Sequence, residues 1–246
     1  MTHALGIDIG GTGIKGAPVD TATGILLEER FKLDTPQPST PRAVAATVAR
    51  VAQHFSWDGP VGVAFPGIII EGQIELAANM GGKIWIGKHG PTLFRAASSS
   101  PVRVVNDADA AGIAEMTFGA GKGETGLVYV LTFGTGIGVA VFNNGVLVPN
   151  CEEGHIEIRG KEAEHRCSAK VRDDEGLNMK QWAARVSEYL QVLELLHSPS
   201  LFIIGGGISR KSDQFLHMLV TTRARVLPAA QCNNAGIVGA AMKAVI

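Results

Sequence analysis

The chain is poor in cysteine and aromatic residues, and neither charge sign is in excess. Three cysteines (Cys151, Cys167, Cys232) with no C-x-x-C pair argue against a disulfide framework. Twenty-two basic against 23 acidic side chains leave a formal charge of -1, which fits neither a nucleic-acid coat nor a polybasic membrane anchor. No apolar run approaches the roughly 18–20 residues of a membrane span. The start, Met1-Thr2-His3-Ala4, has no basic and apolar leader, so the expectation is a cytoplasmic protein without nucleic-acid or membrane partners. What the chain has in excess is glycine. Its 31 glycines are about twice the usual share, and they cluster, which points to sites built from backbone.

The pattern from residue 4 to residue 20 is an alternating apolar run, a glycine turn and a second alternating run, which predicts a β-hairpin. A third strand is expected from Ile25 to Leu33. After the Pro-rich stretch 35–41, apolar residues at Val44, Val48, Val51 and Phe55 continue at helical spacing. Val61 to Phe65 reads as a buried strand ended by Pro66-Gly67. A similar start recurs at Leu127–Gly145, and Gly11-Thr12-Gly13-Ile14 and Gly134-Thr135-Gly136-Ile137 are the same tetrapeptide. A repeat at about half the chain length predicts two lobes of related topology. Between the two hairpins a strand (Val102–Val105) leads into a helix (Ala108–Phe118). After the second come a helix (Met179–Leu196), a strand (Leu201–Ile204), a helix near Ser209 and a small apolar helix (Ala235–Val245).

Two glycine motifs are decoys. Gly11 to Gly16 matches the dinucleotide fingerprint G-x-G-x-x-G, but that site needs a helix after the glycines, and here a strand pattern follows. Gly82 to His89 nearly matches a phosphate-binding P-loop, with His89 where a hydroxyl belongs and no clear strand before it. The alternative is to read the two hairpins as a pair. Glycine turns expose N–H groups and, lacking Cβ, let phosphate oxygens approach. Gly10, Gly11, Thr12, Gly13 and Lys15 would serve one loop, and Gly134, Thr135 and Gly136 the other. The plain alternative is that glycine is there only for positive φ in a β-turn.

Four ordered motifs make a more specific pattern: Asp8-Ile9-Gly10-Gly11-Thr12-Gly13, Asn106-Asp107, Phe133-Gly134-Thr135-Gly136-Ile137-Gly138 and Gly205-Gly206-Gly207. Together they resemble the two phosphate motifs, the catalytic Asn-Asp and the adenosine motif of ROK-family sugar kinases. Within that family, residues 118–123, 154–158 and 233–241 are similar to the polyphosphate-using glucokinases. The resemblance implies an α/β, two-lobed actin-like (ribonuclease H-like) kinase fold with an inter-lobe cleft. Residues 1–108 would form the N-terminal lobe, completed by the helix 235–246, and residues 109–234 the C-terminal lobe. It implies a kinase that moves a phosphoryl group from polyphosphate or ATP to the 6-hydroxyl of glucose, with mannose as a possible second sugar, in a monomer or homodimer.

Residue by residue, the resemblance implies Asp107 as catalytic base, with helix N-capping as its structural alternative. Asn79, Asn106, Asp107, Glu152 and His155 are implied for the sugar, with Glu157 a further candidate. Gly205, Gly206 and Gly207 are implied for the nucleotide. Asp8, a carboxylate in an apolar strand, reads as a partner of Mg²⁺ through water. Many family members carry a C-x-C-G-x-x-G-C zinc cluster after the histidine; this chain does not. Cys151, His155, His165 and Cys167 could supply four ligands in principle, but that would withdraw His155 from the sugar, so no structural zinc is expected. The departure leaves open which residue replaces the family's later sugar-binding Glu. From Ile158 to Arg172 there are instead five basic residues (Arg159, Lys161, Arg166, Lys170, Arg172) against Glu162 and Glu164. With Lys122, these would suit a polyanion longer than ATP, or else form a solvated helix face. Two other classes are weighed: a sugar-sensing regulator, for which no DNA-binding segment precedes the first hairpin, and an NAD-linked oxidoreductase.

Overall fold

The structure is a computed structural model and describes residues 2–77 and 80–245. The chain forms two compact units, residues 1–114 with 234–246 and residues 115–233.

In the first unit, β1 (His3–Ile9) and β2 (Gly13–Asp20) form the antiparallel hairpin, with Ile9 opposite Ile14. The expected third strand is broken into β3 (Ile25–Leu26) and β4 (Phe31–Asp34), both paired with β2. The break falls at Pro18: its carbonyl accepts from the Leu27 N–H at 2.8 Å, but proline has no N–H to return, so the ladder cannot continue. Helix α1 (Pro41–His54) starts with the Thr40 hydroxyl accepting from the Ala43 N–H and with proline in its first turn. It buries Val44, Val48 and Val51 against the sheet core. Strand β5 (Val61–Phe65) and then β9 (Val102–Asn106) add in parallel to β1. Between them lie the short strands β6 (Ile69–Ile70), β7 (Gln73–Ile74) and β8 (Lys88–His89) and the single turn α2 (Gly90–Leu93). Thus the P-loop-like stretch 82–89 is a 3₁₀ turn and a short strand. Helix α3 (Asp107–Phe118) follows β9 directly, and the two units divide inside it.

The second unit repeats the plan. Strands β10 (Leu127–Phe133) and β11 (Ile137–Asn143) form the hairpin, and β12 (Val146–Val148) extends it. A two-residue turn at Arg159-Gly160, both at positive φ, joins β13 (Glu157–Ile158) to β14 (Lys161–Glu162). Short helices α4 (Glu164–Cys167) and α5 (Ala169–Asp174) lead to α6 (Met179–His197). A capping box between Asn178 and Gln181 starts α6, which buries Trp182, Val186, Tyr189 and Leu193. Strands β15 (Leu201–Gly205) and β16 (Arg225–Pro228) add in parallel to β10. The sheet orders β3-β2-β1-β5-β9 and β12-β11-β10-β15-β16 are the same topology used twice. The internal repeat in the sequence is a repeat of structure.

The helix expected near Ser209 is a kinked 3₁₀ segment, residues 207–214. Only Ile208 and Ser209 are buried there, too little apolar surface to hold a full helix. Ser209 is not its cap, because its hydroxyl donates back to the Gly206 carbonyl at 2.8 Å.

The last helix, α7 (Ala235–Val245), packs on β1, β5 and β9 of the first unit. Its approach is backbone to backbone. A Cβ at Gly6 would collide with the Ile237 carbonyl, one at Gly62 with the Ala240 carbonyl, and one at Gly239 with the Ala110 carbonyl. In the second unit, Glu115 is 1% exposed, and its carboxylate accepts from the backbone N–H groups of Ala120, Ala230 and Gln231 at 2.7–3.1 Å. The charge is buried at low cost because three donors meet it.

Candidate active site

The first glycine loop, residues 10–13, is closed by the Gly10 N–H on the Gly13 carbonyl at 3.0 Å. The second, residues 134–136, is closed by the Gly134 N–H on the Gly136 carbonyl at 3.0 Å. None of the five glycines in these loops has a positive φ, so glycine is not there for a left-handed turn. It is there for space. At Gly11 and Gly134 a Cβ would meet nothing within 4 Å, and both loop tips are exposed. Among the described residues, the N–H groups of Gly11, Thr12, Thr135 and Gly136 have no hydrogen-bond partner. Three carbonyls of the loops, those of Gly10, Thr12 and Gly134, are braced by residues from outside the loops. The Thr35 hydroxyl donates to the Gly10 carbonyl at 2.5 Å and the Thr35 N–H to the Thr12 carbonyl at 3.4 Å. The Lys170 N–H holds the Gly134 carbonyl at 3.0 Å. Braced carbonyls and unpartnered amides are what a phosphate cradle requires.

The last glycine of each loop has a different use. A Cβ at Gly13 would strike the Lys32 stem, and one at Gly136 would strike the Glu164 carboxylate. These two spaces are filled by charged side chains from elsewhere in the chain.

Asp8 and Lys15 face each other across the first hairpin and form an ion pair at 3.1 Å. The Asp8 carboxylate also lies against Gly236 in the first turn of α7, where any side chain would collide with it. A lysine and a helix N-terminus together explain a carboxylate at this position. With Lys15 already on this carboxylate at 3.1 Å, it fits a partner that meets Mg²⁺ through the ion's water shell.

Strand β9 delivers Asn106 and Asp107 to the start of α3. Asn106 is 6% exposed; its side-chain oxygen accepts from the Asp109 N–H at 2.9 Å and its amide donates to the Gly67 carbonyl at 3.1 Å. The helix cap is therefore Asn106, not Asp107. Asp107 accepts from the Ala108 N–H at 2.9 Å and is partly exposed. Asn79 lies outside the described residues.

In the second unit, a 3₁₀ turn (Glu153–His155) follows Glu152 and carries Gly154 and His155, which together form a Glu-x-Gly-His sequence. Its Gly154 rests on the Ile137 carbonyl, leaving no room for a Cβ. This packing sets Glu152 and His155 beside the second glycine loop. His155 Nδ1 lies 3.0 Å from Glu162 and 3.8 Å from Glu164, and its Nε2 lies 3.9 Å from Glu152. The hydrogen bond to Glu162 raises the His155 pKa above its ordinary value, and the same bond lowers that of Glu162. Burial raises the Glu152 pKa against the pull of His155. Where family members have a zinc cluster to orient the histidine, here a carboxylate holds Nδ1.

Glu164 ties this group together. One oxygen accepts from the Ile137 N–H at 3.4 Å and the other faces His155. Sequence reasoning missed it, counting it only as an acid within a basic stretch. Glu157 is exposed on β13 and takes no part in the carboxylate group around His155. Cys167 is in the core, donating to the Ala163 carbonyl, and burial pushes its thiol up to about 12.

Four of the five basic residues of the stretch are paired, and Lys161 is exposed. Arg159 and Arg166 both pair with Glu188 of α6, Lys170 with Asp174, and Arg172 with Asp173. The surplus counted to Arg172 is cancelled by the next acids in the chain and by one on α6. Lys122 is exposed in the turn after α3. In the adenosine-like loop, Gly206 has φ of 82° and lies against the Phe133 backbone, while Gly207 faces open space.

The His155 arrangement carries a pH prediction. A histidine pKa raised by a partner stabilises the fold below about 6.5, the ordinary histidine value, and that contribution fades as pH climbs through the folded-state pKa. NMR titration of the His155 ring should show a midpoint above the ordinary value. In Glu162→Gln the midpoint should fall; an unchanged midpoint would mean Glu162 does not hold the ring.

Paired phosphate hairpins, the Asn-Asp at a helix start and a Glu-x-Gly-His turn on a duplicated α/β plan define a sugar kinase of the actin-like fold, and the chain belongs to the ROK family, whose model matches residues 4–172. It is 50% identical over 244 residues to a polyphosphate glucokinase of Mycobacterium tuberculosis, covering 99% of this chain and 91% of that protein. The crystal structure of an inorganic polyphosphate/ATP-glucomannokinase from Arthrobacter superposes with a TM-score of 0.94 at 47% identity, covering 100% of this chain and 99% of that one. A ROK family glucokinase from Streptomyces griseus, solved with glucose and AMPPNP, shares the fold at a TM-score of 0.83 and 24% identity over 99% of both chains.

Proposed function

We propose that this protein is a glucokinase that transfers the terminal phosphoryl group of inorganic polyphosphate or ATP to the 6-hydroxyl of glucose. What carries the reading is the pair of braced loops with unpartnered amides, in a chain half identical to polyphosphate glucokinases along nearly its whole length. Asp107 takes the proton of the 6-hydroxyl, and that oxygen attacks the terminal phosphorus. The bond to the bridging oxygen breaks, leaving polyphosphate one unit shorter, or ADP, and glucose 6-phosphate. Asn106 positions Asp107 by capping its helix and keeps, with Asn79, the hydroxyl-binding role that the resemblance gives it.

His155, with Nδ1 held by Glu162, offers Nε2 to a sugar hydroxyl, and Glu152 and Glu164 accept from others. Glu164, rather than Glu157, takes the place of the family's later sugar-binding Glu, because it reaches both His155 and the second loop. The loop amides of Gly11, Thr12, Thr135 and Gly136 bind phosphoryl oxygens, as do the hydroxyls of Thr12 and Thr135. Gly205 to Gly207 serve the nucleotide when ATP is the donor. Mg²⁺ would be held through water by Asp8 and by the donor itself, and it supplies neutralisation of the phosphate charge. The protein works without a membrane or a nucleic acid, in the cytoplasm.

The test is a coupled assay for glucose 6-phosphate with Mg²⁺ and either polyphosphate or ATP, repeated with mannose as acceptor. Product from polyphosphate supports the reading. Product from ATP alone would leave an ordinary ATP-dependent glucokinase, and product from neither would overturn it.

A further inference from the structure

Lys32 belongs to no motif, and nothing in the sequence singles it out. It lies on β4, opposite Lys15 of β2, which in turn stands opposite Asp8 of β1. Residues opposite one another in an antiparallel sheet project from the same face, so these three charges form a row of one acid and two lysines. Asp8 and Lys15 are paired at 3.1 Å. Lys32 is exposed and makes no ion pair among the described residues.

Its stem lies across Gly13, the last residue of the first glycine loop, with Nζ 3.1 Å from where a Gly13 Cβ would stand. A long, flexible lysine stem would ordinarily extend into water, because ordering it costs rotamer entropy. Here the absent Cβ opens a channel that leads it onto the phosphate loop. Four of the six cations expected further along the chain are meanwhile committed to carboxylates, leaving Lys122 and Lys161. Lys32 thus brings a positive charge with no ion pair among the described residues onto the loop that carries the Gly11 and Thr12 amides.

We propose that Lys32 is a binding residue for the phosphoryl donor, its ammonium group contacting phosphate oxygens held at the first loop. The inference rests on the kinase reading above for the identity of its ligand. Lys32 touches neither the acceptor hydroxyl nor its base, so it acts on donor affinity and not on the chemical step.

The test uses the full chain and nucleotide-free polyphosphate, with binding measured by calorimetry at low and moderate salt beside initial rates with glucose. Lys32→Met keeps the stem over Gly13 and removes only the charge. It should weaken polyphosphate binding about tenfold, with a shallower salt dependence, while kcat and the KM for glucose stay within about twofold. Lys32→Arg should bind nearly as well as the natural protein. Gly13→Ala, which expels the Lys32 stem, should mimic the methionine variant in binding. Unchanged polyphosphate affinity in Lys32→Met overturns the proposal, as does equal loss in the arginine variant, which would mark a packing role. If the natural protein binds polyphosphate through Lys32 but forms no glucose 6-phosphate, the kinase reading fails and this one stands. If it forms product and the methionine variant binds as tightly as before, this one fails alone. No polyphosphate binding by the natural protein refutes it outright.

Discussion

Asp107→Asn should fold with an unchanged melting temperature and lose about 10²- to 10⁴-fold in turnover, the range that a positioned general base supplies. The substitution keeps shape, and an asparagine oxygen can still accept from the Ala108 N–H as Asp107 does at 2.9 Å. What it removes is the capacity to take a proton. The structural alternative, that Asp107 is there to cap α3, is answered by Asn106, whose side chain already accepts from the Asp109 N–H. Stability and activity should therefore separate. Steady-state rates and a thermal melt on the same preparation decide it. Near-normal turnover in Asp107→Asn would remove Asp107 from the chemistry, whereas a large fall in melting temperature would make its role structural.

The second large effect is expected far from the reacting groups, at Gly62→Ala. A single added methyl would need the space now held by the Ala240 carbonyl of α7. A flexible side chain can swing away, but here the obstacle is backbone in the middle of an eleven-residue helix. The helix must lift off β5, and the same helix places Gly236 against Asp8. Overpacking of this kind costs about 3 kcal/mol, which for a chain of this size lowers the melting temperature by about 10 °C. A melting temperature within a degree or two of the natural protein's would mean that α7 can retreat freely, and that its close seat on the sheet is not needed.

Much of the fold was legible because its signals are local. Alternation and glycine turns gave both hairpins, and the repeated Gly-Thr-Gly-Ile gave the duplicated topology. Two of the failures share one physical cause, a partner distant in sequence. The strand expected from Ile25 to Leu33 breaks because its neighbour on β2 is Pro18, which has no N–H to give. The basic stretch looked open because Glu188, which pairs with both Arg159 and Arg166, stands on α6 and not within the stretch. In the site, the glycine loops and the Glu-x-Gly-His turn were readable as motifs. The purpose of each glycine was not. Gly11 and Gly134 leave open space for a ligand, whereas Gly13 and Gly136 admit Lys32 and Glu164, and only the folded chain shows which is which. The local departure from the family's zinc cluster left the support of His155 open. Glu162 and Glu164 fill that role from the short hairpin and helix that follow the histidine.

The central claim is that phosphoryl groups pass from polyphosphate to the sugar's 6-hydroxyl without a nucleotide between them. The most direct measurement is ³¹P NMR of a reaction containing only the protein, Mg²⁺, glucose and nucleotide-free polyphosphate. The account predicts a growing phosphomonoester resonance of glucose 6-phosphate matched by loss of polyphosphate chain units. Free orthophosphate growing in its place, or no change until ATP is added, would contradict it.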